Sequence, residues 1–469
     1  MTGTETKTTD ATAVHWLTLT QAGEAIRKGS ATPVALTEAL LARIEEAQPR
    51  LHAFITVLGE RALARAKEAE AEIAGGRYRG PLHGIPIAVK DLCWTKGIRT
   101  TAGTAVLRDH VPDEDATVVE RLEAAGAVIL GKLSMTEGAY ATHHPSVPPP
   151  VNPWGADRWT GVSSSGSGVA TAAGLCYGSL GSDTAGSIRF PSAACGVVGI
   201  KPTWGRVSRY GVFALGASLD HIGPMTRSVA DAAAMLAVLA GHDPKDPTSL
   251  RAAVPDYAAA VGRGVRGLRI GVDERYATED LDDEVTGLVM ATVDVLRRLG
   301  AEIVAVKVPP IDDVLRTWAL VCAAEAAAAH VGLYPEREAE YGPVFGPFLA
   351  MGRAATAVDY AQAHEERLKF NGGLAGVFEE VDLLLCPSLG VATPGKEGSR
   401  LPEEIGRVMR FTAPFDFSGS PTISVPCGFT ADGMPASLQL VGRHLGEESL
   451  IAAGAAYEQA TEWHTRHPG

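Results

Sequence analysis

The chain lacks most of what would tie it to a membrane, a metal or a polyanion. None of its apolar runs approaches the roughly 18 uninterrupted residues of a membrane span. Its opening stretch, MTGTETKTTDATAVHW, is polar, so no signal peptide is expected. The six cysteines (Cys93, Cys176, Cys195, Cys322, Cys386 and Cys427) form no CxxC and no close pair. That argues against a zinc site or a thioredoxin-like redox pair. Most sit in apolar settings such as VDLLLCPS and ISVPCGF, and they read as buried, reduced thiols of a cytoplasmic protein. Positive charge is scarce: the formal charge is −13 and no Lys/Arg run exceeds two residues. Direct nucleic-acid binding is therefore not expected. No GxSxG nucleophile elbow occurs, and neither a metal nor a cofactor is expected.

What is present is an ordinary globular composition, 46% apolar and 21% charged, able to bury a large core without disulfides. About 150 residues per domain would suggest three domains, but large α/β sheets often exceed that as single units. Residues 1–15 read as disordered. From Thr18 to about Gly75 the pattern is helical, with one helix entered through Thr32-Pro33 and apolar residues at Leu36, Leu40, Leu41 and Ile44. Then PLHGIPIAVKD reads as a buried strand, Val118–Ala125 as a helix, and AVILGK as a second buried strand. LRIGVD, EIVAVKV, VDLLLCPS and TISVPCGF repeat the strand texture, with helical stretches such as Glu284–Leu299 between them. The expected class is α/β with a central, mostly buried sheet.

Between Thr142 and Gly223 the texture changes to a Pro-rich run, HHPSVPPPVNPW, followed by GVSSSGSG and GSDTAGSIRFPS. A single Ser/Gly cluster is ordinarily just a loop. The second cluster is more pointed, because small residues let backbone N–H groups converge where Ser187 turns towards a helix containing Pro191. A nucleophile beside converging amides is what acyl transfer requires. Gly126–Lys132 matches the start of a phosphate loop, but Leu133 follows and the interior is apolar, so a strand is expected. Gly174-Leu-Cys-Tyr-Gly178 mimics an elbow in an Ala-rich helical context. His143, His144 and His221 lie near the segment without a spacing that selects a base. Lys90, in an apolar strand, is the sharper candidate, since desolvation disfavours its ammonium form. The plain alternative is a lysine paired with a carboxylate.

Together these segments resemble the amidase signature family. The hallmark stretch is GSDTAGSIRFPSAACGVVGIKPTWGRVS, supported by GIPIAVKD, by NPW before the first Gly/Ser cluster, and by SLDHIGPMTRSVADAA and FDFSGSPTISVPCGF. The resemblance spans about residues 20 to 460 and is weakest between about 240 and 400. It implies one large mixed sheet flanked by helices on both faces, as a single domain over 16–469. It also implies Ser187 as the acylated nucleophile, Ser163 as the bridging serine, often on a cis peptide bond, and Lys90 as the neutral base. Backbone N–H groups of Thr184, Ala185, Gly186 and Ser187 would form the oxyanion hole. Ser164, Asp183 and Arg189 would support them, and Gly138, Ala139 and Tyr140 would contact substrate. Val162, Ser165 and Ala185 depart from the family pattern, and a positive φ at Ala185 would strain it.

Two activities fit the resemblance. A stand-alone hydrolase would cut amides, with esters and carbamates as further substrates. The glutamine-hydrolysing component of a tRNA-dependent amidotransferase would instead release ammonia for a partner that binds tRNA. The region MTEGAY…PPPVNPW and RFTAPFDFSGSP favour the stand-alone form, acting on a small molecule. A homodimer is compatible with the resemblance. GPVFGPFLAMG supplies apolar and aromatic pocket candidates without fixing their direction.

Overall fold

The computed structural model describes residues 14–395 and 406–469. The chain builds one sheet of eleven strands: β1 (Phe54–Val57), β2 (Pro86–Lys90), β3 (Val128–Leu133), β4 (Gly178–Asp183), β5 (Val198–Lys201), β6 (His221–Thr226), β7 (Arg269–Val272), β8 (Glu302–Ala305), β9 (Leu383–Pro387), β10 (Thr422–Phe429) and β11 (Pro435–Gly442). Their spatial order is β1-β3-β2-β4-β6-β5-β10-β11-β9-β7-β8. β3, β2 and β4 run parallel, as do β9, β7 and β8, while β6, β5, β10 and β11 are joined antiparallel between them. Every residue of β2, β3, β4, β6, β9 and β11 is buried. Consecutive side chains of a strand point to opposite faces, so both faces of this sheet are covered.

The helical start proves to be three helices with a strand among them: α1 (Leu19–Arg27), α2 (Pro33–Leu51) and α3 (Gly59–Ala74), with β1 between α2 and α3. Thr32 caps α2 by accepting the Ala35 N–H at 3.2 Å, and Pro33 occupies its first turn. Leu36, Leu40 and Ile44 face the core, whereas Leu41 is only partly buried. β1 is four residues long and lies at the sheet edge, too short for its alternation to stand out.

Two residues of the segment read as disordered, Val14 and His15, are among those described. Val14–Trp16 form a 3-10 turn with His15 buried, and Trp16 stacks on His467 at 4.0 Å. Residues 1–13, the rest of the segment read as disordered, lie outside the described residues. All six cysteines are buried and free. Among the described residues, no helix is long and apolar enough to cross a membrane.

Candidate active site

The site forms at the carboxyl ends of the parallel strands β2 and β4, where open α/β sheets place their ligands. Lys90 ends β2 and Asp183 ends β4. Two loops meet them there. One leads through Ser163 into the helix Ser165–Ala172, and the other leads through Ser187 into the helix Arg189–Cys195. The Ser164 N–H donates to the Ser187 carbonyl at 3.3 Å and ties the two loops together. The peptide bond Val162–Ser163 is cis.

Lys90 is fully buried, and no carboxylate pairs with it among the described residues. Its Nζ contacts three serine hydroxyls instead: Ser163 Oγ at 2.6 Å, Ser164 Oγ at 2.8 Å and Ser182 Oγ at 2.7 Å. Burial dominates its electrostatics and lowers its pKa to about 7. Ser163 and Ser164 therefore both touch the lysine, but their hydrogens differ. Ser164 Oγ donates to the Ser182 carbonyl at 3.1 Å, which commits its proton. The Ser163 hydroxyl has no committed acceptor among the described residues, so of these two it is the one free to pass a proton; the Ser182 hydroxyl likewise donates to no described group. Ser182 is a lysine partner that the sequence patterns did not single out.

The turn from Asp183 to Ser187 is fixed one peptide plane at a time. Trp318 Nε1 donates to the Thr184 carbonyl at 2.8 Å, and Thr412 Oγ1 donates to the Ala185 carbonyl at 2.5 Å. The Phe190 N–H donates to the Gly186 carbonyl at 2.6 Å. A trans peptide aims its N–H opposite its carbonyl, so these anchors set where the N–H groups of Ala185, Gly186 and Ser187 point. The Gly186 N–H reaches the Asp183 carboxylate and is not free for an incoming oxyanion. Thr184, Ala185 and Ser187 have no such partner among the described residues. Of the four N–H groups expected to serve as donors, three are thus without a protein acceptor among the described residues and one, that of Gly186, has one.

Asp183 is held in turn by Arg189, whose Nε and Nη2 each lie 2.9 Å from a carboxylate oxygen. Burial alone would raise this carboxyl's pKa, but the Arg189 guanidinium outweighs it and holds the carboxyl well below the usual range. Arg189 also pairs with buried Asp416, and Thr184 Oγ1 donates to Asp220 at 2.6 Å. Trp318, Thr412, Asp416 and Asp220 come from distant parts of the sequence; Thr412 and Asp416 lie in RFTAPFDFSGSP and Asp220 in SLDHIGPM, but nothing local marked them as supports of this turn.

The strain anticipated at Ala185 is absent, because the positive φ of the turn falls on Gly186, at +129°. A Cβ there would lie 2.5 Å from the Phe190 ring. Gly186→Ala should therefore destabilise the protein by about 1–3 kcal/mol and reduce turnover, while Ala185→Gly should be tolerated. Thermal melts of both variants check this, and a Gly186→Ala protein as stable and active as wild type would refute it.

Ser187 opens onto a cavity of about 200 Å³ with a mostly apolar wall. Ala139, Tyr140, Val162, Phe190, Leu215 and Trp318 contribute to it, together with Ala185 and Met409. Two of the departures from the family pattern, Val162 and Ala185, thus add apolar groups to this wall. The third, Ser165, lies with its Oγ 2.9 Å from His143 Nε2. Of the expected substrate contacts, Ala139 and Tyr140 line the cavity, but Gly138 does not: it backs onto Phe345, which a Cβ would strike. Phe345 and Phe348, from GPVFGPFLAMG, instead support Tyr140 from behind, with Phe348 stacked on it at 3.8 Å. Glu137 clasps this wall by accepting the Gly342 N–H at 3.0 Å, and burial pushes its carboxyl up to about 7.

A mixed eleven-stranded sheet with a lysine–serine cluster at the ends of its parallel strands places the molecule in the amidase signature fold. The Amidase profile matches residues 35–451, and the chain belongs to that family, whose members hydrolyse amides. A protein of Mycobacterium tuberculosis named "Putative amidase AmiD" is 49% identical over 463 residues, covering 98% of this chain and 97% of its own length. A glutamyl-tRNA(Gln) amidotransferase component of Chloroflexus aurantiacus is 41% identical over 485 residues, covering 97% of this chain and 99% of its own. Among solved structures, a bacterial aryl acylamidase of the amidase signature family superposes with a TM-score of 0.87 at 28% identity, covering 96% of this chain and 98% of that one.

Proposed function

We propose that the protein is a self-sufficient hydrolase of linear amides with a small apolar or aryl acyl group. Esters and carbamates would be further substrates, and Ser187 would carry the acyl group. The observation that carries this reading is a buried lysine held by serine hydroxyls rather than a carboxylate, beside an apolar cavity that opens on Ser187. Ser187 Oγ attacks the substrate carbonyl carbon. Its proton passes to Ser163 Oγ as the Ser163 proton passes to neutral Lys90. The N–H groups of Thr184, Ala185 and Ser187 hold the oxyanion. When the C–N bond breaks, Lys90 returns a proton through Ser163 to the leaving nitrogen. Water then enters by the reverse route and cleaves the acyl–Ser187 ester.

The glutamine-hydrolysing reading is weaker on physical grounds. Free glutamine carries an ammonium and a carboxylate, and among the described residues the cavity wall offers no charged side chain to either. The higher identity to the AmiD protein than to the amidotransferase component, 49% against 41%, points the same way.

The lone chain should release nitroaniline from a 4-nitroacetanilide-type amide. It should cleave the matching ester faster, because an oxygen anion leaves more readily than an amide nitrogen. Neither ATP, tRNA nor a second protein should be needed. If no anilide, ester or carbamate turns over, and glutamine yields ammonia only with a partner protein, the amidotransferase reading replaces this one.

A further inference from the structure

We infer that Trp318 is a positioning residue for the oxyanion turn as well as a wall of the acyl cavity, an inference that rests on Ser187 being the nucleophile. The helix Asp312–Ala329 brings Trp318 against the turn from a part of the chain 134 residues away. The side chain is buried and does two things at once. Its ring lines the cavity, and its Nε1–H donates to the Thr184 carbonyl at 2.8 Å. That carbonyl shares a peptide plane with the Ala185 N–H, one of the three uncommitted donors. Fixing the carbonyl on one side orients the N–H on the other.

The neighbouring planes are anchored by a side chain that does not line the cavity and by a backbone N–H. Thr412 holds the Ala185 carbonyl, and the Phe190 N–H holds the Gly186 carbonyl. Only at the Thr184–Ala185 plane is the anchor also a side chain whose donor and cavity-lining surface are one ring. An acyl group packed against the indole therefore bears on the same side chain that aims an oxyanion donor. Substrates whose apolar acyl group reaches Trp318 are those whose packing would reinforce that aim. Acetyl-sized substrates leave the indole unsupported.

Two separable effects follow. Deleting only the indole N–H should weaken transition-state binding and leave ground-state binding alone, because the oxyanion exists only in the transition state. Shrinking the ring should change acyl-group preference. Trp318→Phe removes the donor and keeps an aromatic wall. Benzothienylalanine, placed site-specifically at 318, keeps the bicyclic shape and removes only the N–H, so it tests the proposal even where the Phe variant fails to fold.

For both replacements we expect kcat on an aryl acyl ester to fall about tenfold to a hundredfold, with KM within twofold of wild type. A boronic acid that forms a tetrahedral adduct on Ser187 should lose affinity by the same factor as kcat/KM. Trp318→Gln, which restores a side-chain N–H donor but not the wall, should recover part of kcat on an acetyl ester and not on a bulky one. Unchanged kcat and boronate affinity in the benzothienyl protein, or a change in KM alone, would overturn the inference and leave Trp318 as wall only. Those results would not touch the nucleophile, which Ser187→Ala tests separately: an active Ser187→Ala protein would remove both readings.

Discussion

Ser187→Ala is expected to lower kcat by on the order of a thousandfold or more while leaving the fold intact. The size of the loss follows from the role, since without the hydroxyl no acyl-enzyme forms and the free N–H groups have only an unattacked carbonyl to polarise. The intact fold follows from the contacts. The Ser187 side chain lines the cavity, and its hydroxyl makes no hydrogen bond to the described protein groups. Removing it strands no buried partner. The loops stay joined, because the bond from the Ser164 N–H goes to the Ser187 carbonyl, which alanine retains. A sulfonyl fluoride or phosphonate should label the wild type at Ser187 and leave the variant unlabelled, as read by mass spectrometry of the digested protein. A label on Ser163, Ser164 or Ser182, or an active variant, would show that a different hydroxyl is the nucleophile.

The sheet was legible in the sequence wherever a strand is an uninterrupted run rich in Ile, Leu and Val, as in β2, β3, β9 and β10. It was not legible in β4 (GSLGSD), β5 (VGIK) or β6 (HIGPMT), whose glycine, serine and proline contradict strand propensity. These strands form because their neighbours bury them from both sides, which is tertiary context overriding local preference. Glycine has a further use there: a Cβ on Gly199 of β5 would collide with the Ser192 side chain in the helix after Ser187, and one on Gly223 of β6 with the Ile200 carbonyl of β5. The residues that make those strands hard to read are the ones that let the Ser187 loop and the helix after it sit close to the sheet.

The site divides along similar lines. Lys90, Ser163, Ser164, Asp183, Ser187 and Arg189 fall in contiguous motifs, and the fold brings all six into one cluster. The groups that aim the turn, Trp318, Thr412, Asp416 and Asp220, act through single side chains that converge only in three dimensions. The choice of oxyanion donors proposed above needed the structure too. Which N–H is free depends on what each carbonyl and the Asp183 carboxylate already hold, and no residue type reveals that.

Lys90→Met should abolish most turnover, about a thousandfold or more, and the pH behaviour of the wild type should identify the reason. In the proposed mechanism the reactive species is the neutral amine, and burial lowers the lysine pKa to about 7. Below that pH the group is an ammonium that cannot accept a proton. The value of kcat/KM should then fall about tenfold per pH unit, and above it the profile should level off. Lys201 is a second buried lysine whose pKa burial lowers to about 7, but its Nζ donates to the Ser420 carbonyl at 2.6 Å and to no serine hydroxyl of the cluster. Lys201→Met should therefore keep the inflection. Stability gives an independent sign. In the unfolded chain Lys90 titrates near 10.5 and in the folded protein at about 7. Between those values the unfolded state binds more protons, so this group's contribution to stability rises with pH across that window. Below about 7 both states are protonated and the buried ammonium is a net cost. Lys90→Met should accordingly melt at a higher temperature than wild type at pH 6, with the gap narrowing as pH rises from 7 towards 10. An activity profile that peaks near pH 5, or a Lys90→Met protein that keeps wild-type turnover, would exclude Lys90 as the base. A melting gap that widens with pH would show that the lysine is not held near its neutral form in the folded protein.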